Sequence, residues 1–188
     1  MNYFRILADD NLFANRWFLD EPFAENGQEI GSRLFTLGKP YKGPPPNFVP
    51  VQQGGKPIAF NLAALDMPVV SPEISLIFKE IAENDCDFFP VTIKPNNVNM
   101  VIVNVIRRLE CVDESRSEKI IRWEPKDNRP DRLGFYRSIR GLRIDPMKVN
   151  NHHIFRIFGW EISLIISEAI YSKIKGVDNL GVVFQEVT

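Results

Sequence analysis

Glu161-Ile-Ser-Leu-Ile-Ile-Ser-Glu-Ala-Ile-Tyr-Ser-Lys-Ile-Lys175 is the stretch on which the fold turns. With a period of 3.6 it places Ile162, Ile165, Ile166 and Ala169 on one face, sets Lys173 and Lys175 in the last turn, and offers Gly176 as a left-handed cap. That spacing predicts a helix. A second helix is expected after Ser71-Pro72-Glu73, where a side-chain cap, a proline at the first helical position and an early acid precede Ile74, Ile77, Phe78 and Ile81. The five residues Glu73 to Ile77 recur identically as Glu161 to Ile165. Because helix starts draw on a small alphabet, coincidence is the readier reading, and a duplication is the alternative.

Working outward, the remaining ordered segments read as strands. Tyr3 to Leu7 and Arg16 to Leu19 are short aromatic and β-branched runs that could pair with each other. Phe88 to Ile93 alternates, but Pro90 lacks an amide hydrogen and predicts an edge or an interrupted ladder. Met100 to Val112 is apolar on both alternations, as in a strand covered on two faces. Ile139 to Ile144, His153 to Phe158 and Val182 to Val187 complete the set, with a charged loop from Asp113 to Gly134. Residues 39–57 are rich in proline and glycine; they predict an extended surface connector, or else a partner-binding arm. The expected architecture is a single α+β domain over residues 1–188: a mainly antiparallel sheet with two or more helices packed on it.

Composition narrows the function classes. At 188 residues, 44% hydrophobic and 25% charged, the chain has globular proportions and no membrane-spanning apolar stretch. Met1 to Phe13 has no charged start, long apolar run or cleavage site of a secretory signal, so a cytoplasmic location is expected. Cys86 and Cys111 are too few and too far apart for a disulfide framework or zinc site, and read as reduced, partly buried thiols. The net charge of −1 selects no polyanion, yet its distribution is uneven. Residues 1–30 hold six acids against two arginines, a balance of −4, while residues 119–143 hold eight bases against three acids, a balance of +5.

No phosphate loop, nucleophile elbow or zinc-protease helix is present, and no cofactor or metal is expected. His152 and His153 are the only histidines and the first candidates for acid–base chemistry. Adjacent residues on a strand point to opposite faces, which favours a structural role; the enzymatic alternative needs distant residues such as Asp145, Glu161 and Arg143 to converge on them. The arginines of residues 119–143, interleaved with Trp123, Phe135 and Tyr136, could neutralise phosphates and stack bases, but a pI near 6.2 makes nucleic acid the weaker partner. The same residue types dominate protein interfaces.

Four blocks, read together, resemble one family: Arg33-Leu34-Phe35-Thr36; Asp66-Met67-Pro68-Val69-Val70-Ser71; Leu142-Arg143-Ile144-Asp145-Pro146; and His153-Ile154-Phe155-Arg156-Ile157 followed by Gly159-Trp160-Glu161. They occur in the order shown by immunity protein family 11 of bacterial polymorphic toxin systems, and the resemblance runs from about Tyr3 to Val187. It implies a cytosolic protein without enzymatic activity that binds and blocks a cognate toxin domain, and it leaves a homodimer open. Most of the matching residues read as scaffold, with Ser71 as a cap, Pro146 and Gly159 in turns, Phe155 and Ile157 in the core and Trp160 over a helix end. Two charged surfaces are candidates for the toxin: acidic Asp9, Asp10 and Asp20, or the set Trp123, Arg129, Arg132, Tyr136 and Arg137.

Overall fold

The computed structural model describes residues 1–12, 15–64 and 66–188. Phe13, the end of the stretch read for a secretory signal, lies outside the described residues. One sheet runs in the order β14 (Val182–Glu186), β1 (Tyr3–Ala8), β13 (Trp160–Ser167), β12 (Ile154–Ile157) and β9 (Arg108–Leu109). A larger sheet runs β2 (Phe18–Leu19), β4 (Pro46–Gln53), β7 (Cys86–Lys94), β8 (Val98–Val105), β6 (Met67–Val70) and β5 (Phe60–Ala63), with β3 (Phe23–Ala24) also paired to β4. A hairpin of β10 (Lys119–Arg122) and β11 (Tyr136–Arg140) stands apart from both. The α-helices are α1 (Pro72–Ala82) and α2 (Glu168–Ile174). None is long and apolar enough to cross a membrane among the described residues.

The expected α+β architecture is therefore corrected. The structure is mostly β, with 41% strand, 20% helix and a barrel-like large sheet. The decisive error is at residues 161–167, which form the strand β13 rather than the first turns of a helix. Ser163 to Ser167 are all buried, because β13 lies between β1 and β12 and both of its faces are covered. A helix at that position would have turned part of the run to solvent. Helix α2 begins only at Glu168; it points Ile170 and Ile174 inward, leaves Ala169 exposed, and ends without a left-handed Gly176. The shared pentapeptide is thus helical in α1 and extended in β13, which removes the duplication reading.

In α1 the local signals prevail. The Ser71 hydroxyl accepts from the Ile74 amide at 3.4 Å, Pro72 opens the helix, and Ile74 and Phe78 are buried while Glu73, Leu76, Lys79 and Glu80 face out. Elsewhere pairing overrides them. The proline-rich segment expected as a connector contains β4, which tolerates Pro46 as its first residue; on one side it meets only the two-residue strands β2 and β3. Strands β1 and β2 do not pair with each other; they belong to different sheets. Pro90 behaves as expected, since β4 joins β7 only from Thr92 onward. The apolar run from Met100 serves two sheets: it supplies β8 to the larger one and then β9 to the smaller.

The large sheet curls until its outer strands meet. The Ala64 amide, just past β5, donates to the Leu19 carbonyl at 3.3 Å, and Trp17 Nε1 donates to Asn61 Oδ1 at 2.8 Å. Trp17, Phe35, Val49, Val69, Ile93 and Ile102 fill the space so enclosed. A second core cluster joins this sheet to the smaller one through Phe60, Phe78, Val103, Leu164, Ile166 and Ile170. A third lies on the opposite face of the smaller sheet, where Tyr3, Phe155 and Ile165 pack with Leu142 and Ile144. Burying each of these large side chains contributes about 1.5–3 kcal/mol. Phe155 and Ile157 are core residues as expected. Trp160 caps no helix: it opens β13, with the Arg5 guanidinium 4.5 Å from its ring centroid.

Candidate functional site

The segment expected as a charged loop is an arm built on β10 and β11, with Lys119 opposite Arg140 and Ile120 opposite Ile139. An isolated two-stranded hairpin is marginal in water, so its base must be anchored. Ile139 is buried, Ile120 and Tyr136 pack on the third core cluster, and the Tyr136 amide donates to the Gly159 carbonyl at 3.0 Å. Phe135 meets Phe158 edge-on at 5.4 Å. Beyond this base Ile121, Leu133 and Phe135 are exposed, Leu133 by 55%.

Trp123 organises the tip. The guanidinium groups of Arg129 and Arg137 lie 5.7 and 5.2 Å from its ring. Arg129 forks onto Asp131 at 3.0 and 2.9 Å, which pushes its own pKa up and holds the Asp131 carboxyl below its usual range. Arg137 reaches Asp127 at 2.7 Å, Arg140 reaches Glu118 at 3.2 Å, and Arg122 pairs with Glu114. Arg132 lies 3.8 Å from Asp131. Widening the count to residues 110–143 gives seven acids against nine bases, a balance of only +2. Most of the positive charge that suggested nucleic acid is thus neutralised within the arm and its base.

Four of the five arm candidates, Trp123, Arg132, Tyr136 and Arg137, line one wall of a cleft of about 250 Å³; Arg129 stacks behind Trp123. The opposite wall comes from Arg33, Thr36, Asp66, Trp160, Glu161 and Ile162. Three of the four blocks that carry the family resemblance therefore converge here. The wall is held by Arg156, a fully buried guanidinium that donates to the Glu161 carbonyl at 2.6 Å and the Asp66 carbonyl at 3.1 Å. Burial raises the Asp66 carboxyl pKa, an effect offset by Arg156 and Arg5.

Sequence reasoning missed this wall. Arg33 and Asp66 belong to the blocks that carry the family resemblance but had no site role, and Ile162, 52% exposed, was assigned to the buried face of a helix. The acidic candidates do not assemble in the same way. Asp9 accepts from its own turn through Asn11, and Asp10 follows it beyond β1. Asp20 sits after β2 on the other sheet, with its carboxylate on the Glu21 amide.

The histidines do not lie on the expected strand: both precede β12, and each ring takes a different partner. His152 Nδ1 meets Asp85 Oδ1 at 2.8 Å, and His153 Nδ1 meets Ser167 Oγ at 2.9 Å. Ser167 is fully buried, and Asp85 is bound to the other histidine, so the four groups do not form a nucleophile–base–orienter chain. Asp145 accepts from the Met147 amide, Glu161 from the Gly159 amide, and Arg143 donates to the Thr188 carbonyl; none of them converges on the histidines. Among the described residues no group of three or more His, Cys, Asp or Glu side chains could hold a metal ion.

Both cysteines are buried and free. Burial pushes the Cys86 thiol well up and the Cys111 thiol to about 12. Since the thiolate is the nucleophile, neither should react with iodoacetamide in the folded protein at neutral pH, and both should be alkylated in denaturant. Rapid native labelling seen by mass spectrometry would contradict this.

The family model described as Immunity protein family (Imm11) matches residues 8–188. No curated protein matches the chain.

Proposed function

Because the chain belongs to the immunity protein family whose model spans residues 8–188, we propose that it binds a cognate bacterial toxin domain and neutralises it in the cytoplasm of the producing cell. The supporting observation is the face formed by the arm and its cleft, where Trp123, Tyr136 and three arginines gather beside exposed Ile162. Aromatic and arginine side chains carry most interface energy, because they combine buried area with a fixed fork or polar tip. The acidic residues are divided between two sheets, so the arm is the better anchor. Neutralisation here is steric: a rigid β scaffold covers the toxin, with no reaction and no cofactor.

Co-expression with the toxin domain encoded beside this gene tests the reading. Growth should be restored and the two proteins should co-purify. Trp123→Ala should weaken binding by about 30-fold, equivalent to about 2 kcal/mol, while charge reversal of Asp9, Asp10 and Asp20 should change it by less than about threefold. No rescue by folded wild-type protein would sink the proposal.

A further inference from the structure

The cleft beside the arm does not end at Leu37. A second hollow, of about 660 Å³, shares that residue and continues past Leu34, Lys39, Tyr41 and Lys42. The two hollows adjoin at Leu37 and are treated as one groove; each carries an exposed aliphatic side chain, Ile162 in the first and Leu34, 45% exposed, in the second. Its rim is basic. Arg33, Lys39 and Lys42 are exposed and have no carboxylate partner among the described residues, and Arg132 and Arg137 close the arm side.

The acids that face the groove are already engaged. Asp66 lies in the field of Arg5 and Arg156, and Glu161 accepts from Gly159 and sits 3.6 Å from Arg108. The backbone under the free cations is fixed: Asn104 Nδ2 donates to the Lys39 carbonyl at 3.0 Å, and Tyr41 is packed against Phe35 and Phe89. Lys39 and Lys42 on this packed loop and Arg33 on the 3-10 turn Ser32–Phe35, beside exposed aliphatic side chains, make a preformed receptor.

We propose that this groove seats an extended, acidic segment of the toxin. Its carboxylates meet Arg33, Lys39 and Lys42, and an apolar side chain covers Leu34 and Ile162. The proposal rests on the toxin-binding reading and adds the chemistry of the bound segment. Nucleic acid fits less well, because single strands need open aromatic faces for stacking. Here Trp123 is covered by two guanidinium groups and Tyr41 by two phenylalanines.

Calorimetry of the full-length protein with the toxin domain encoded beside its gene provides the test. The combined variant Arg33→Glu, Lys39→Glu, Lys42→Glu should keep the wild-type urea midpoint and bind about 100-fold more weakly, with a shallower salt dependence. Lysine replacements in an acidic stretch of the toxin should recover part of that loss. If the triple variant binds within about threefold of wild type while Trp123→Ala loses affinity, the groove proposal fails and the toxin-binding reading stands. If the wild-type protein does not bind the domain, both fall. Tight binding of mixed-sequence RNA or DNA that the triple variant abolishes would overturn the proposal in favour of nucleic acid.

Discussion

Replacing Arg156 with alanine should lower the free energy of unfolding by about 3–5 kcal/mol, read from urea denaturation, whereas Arg156→Met should cost less than about half as much. Arg156 belongs to β12 and is completely buried, and its side chain bonds both to the neighbouring strand and to the other sheet. One guanidinium nitrogen holds the Glu161 carbonyl at the start of β13, and another holds the Asp66 carbonyl in the β5–β6 turn of the larger sheet. The side chain therefore clasps two sheets together. Alanine leaves both carbonyls without this donor and opens a cavity the size of the stem.

Methionine separates packing from charge. Burial lowers the Arg156 pKa to about 10, an effect opposed by Asp66, Cys86 and Glu161. The group stays charged at neutral pH, so its desolvation opposes folding there, and that penalty fades only as pH rises through about 10. Methionine removes the penalty along with the hydrogen bonds while keeping most of the volume. Equal losses for the two variants, or losses below about 1 kcal/mol in both, would refute the clasp.

The sequence was informative where local chemistry decides conformation. Ser71-Pro72 fixes the start of α1 whatever surrounds it, because both residues act within one turn. Glu161 to Ile165 has the same side chains with no such cap: it follows Gly159, whose positive φ shapes the turn between β12 and β13. Its conformation is set by β12, the other arm of its hairpin, and by β1, which is remote in the chain. A 3.6-residue period and a doubly buried strand both permit a run of isoleucine and leucine, so periodicity could not choose between them. Proline misled in the opposite direction. The density of proline in residues 39–57 argued against a helix or a central strand, but β4 needs few donors on its β2 and β3 side.

The site was legible as a list of residue types and not as a place. Trp123, Arg132, Tyr136 and Arg137 were identified because arginine and aromatic residues are recognisable in any order. Their net charge was overestimated because Glu114 and Glu118, which neutralise two of the arginines, lie just outside the segment that was counted. The opposite wall could not be read at all: Arg33, Asp66 and Ile162 come from separate parts of the chain and meet only through the folded sheets.

The histidine pair shows the same limit, and it supplies the second large prediction. Both residues precede β12, so strand alternation does not set their directions, and the partner Asp85 lies 67 residues from His152 at what looks, in sequence, like the polar end of a helix. That carboxylate is buried and accepts three times. Arg107 Nε and His152 Nδ1 meet one oxygen at 2.9 and 2.8 Å, and the His153 amide meets the other at 3.3 Å. Because a carboxylate only accepts, the His152 proton must sit on Nδ1. The residue also accepts the Ile106 amide on its own carbonyl, so the end of α1, the crossover from β8 to β9 and the entry to β12 all meet there. Asp85→Ala removes every side-chain acceptor at this junction and should cost about 3 kcal/mol; Asp85→Asn keeps one oxygen and should cost about half of that. A double-mutant cycle between Asp85→Ala and His152→Ala should give a coupling of at least about 0.5 kcal/mol. Strict additivity would mean that the two sheets are joined here by packing alone.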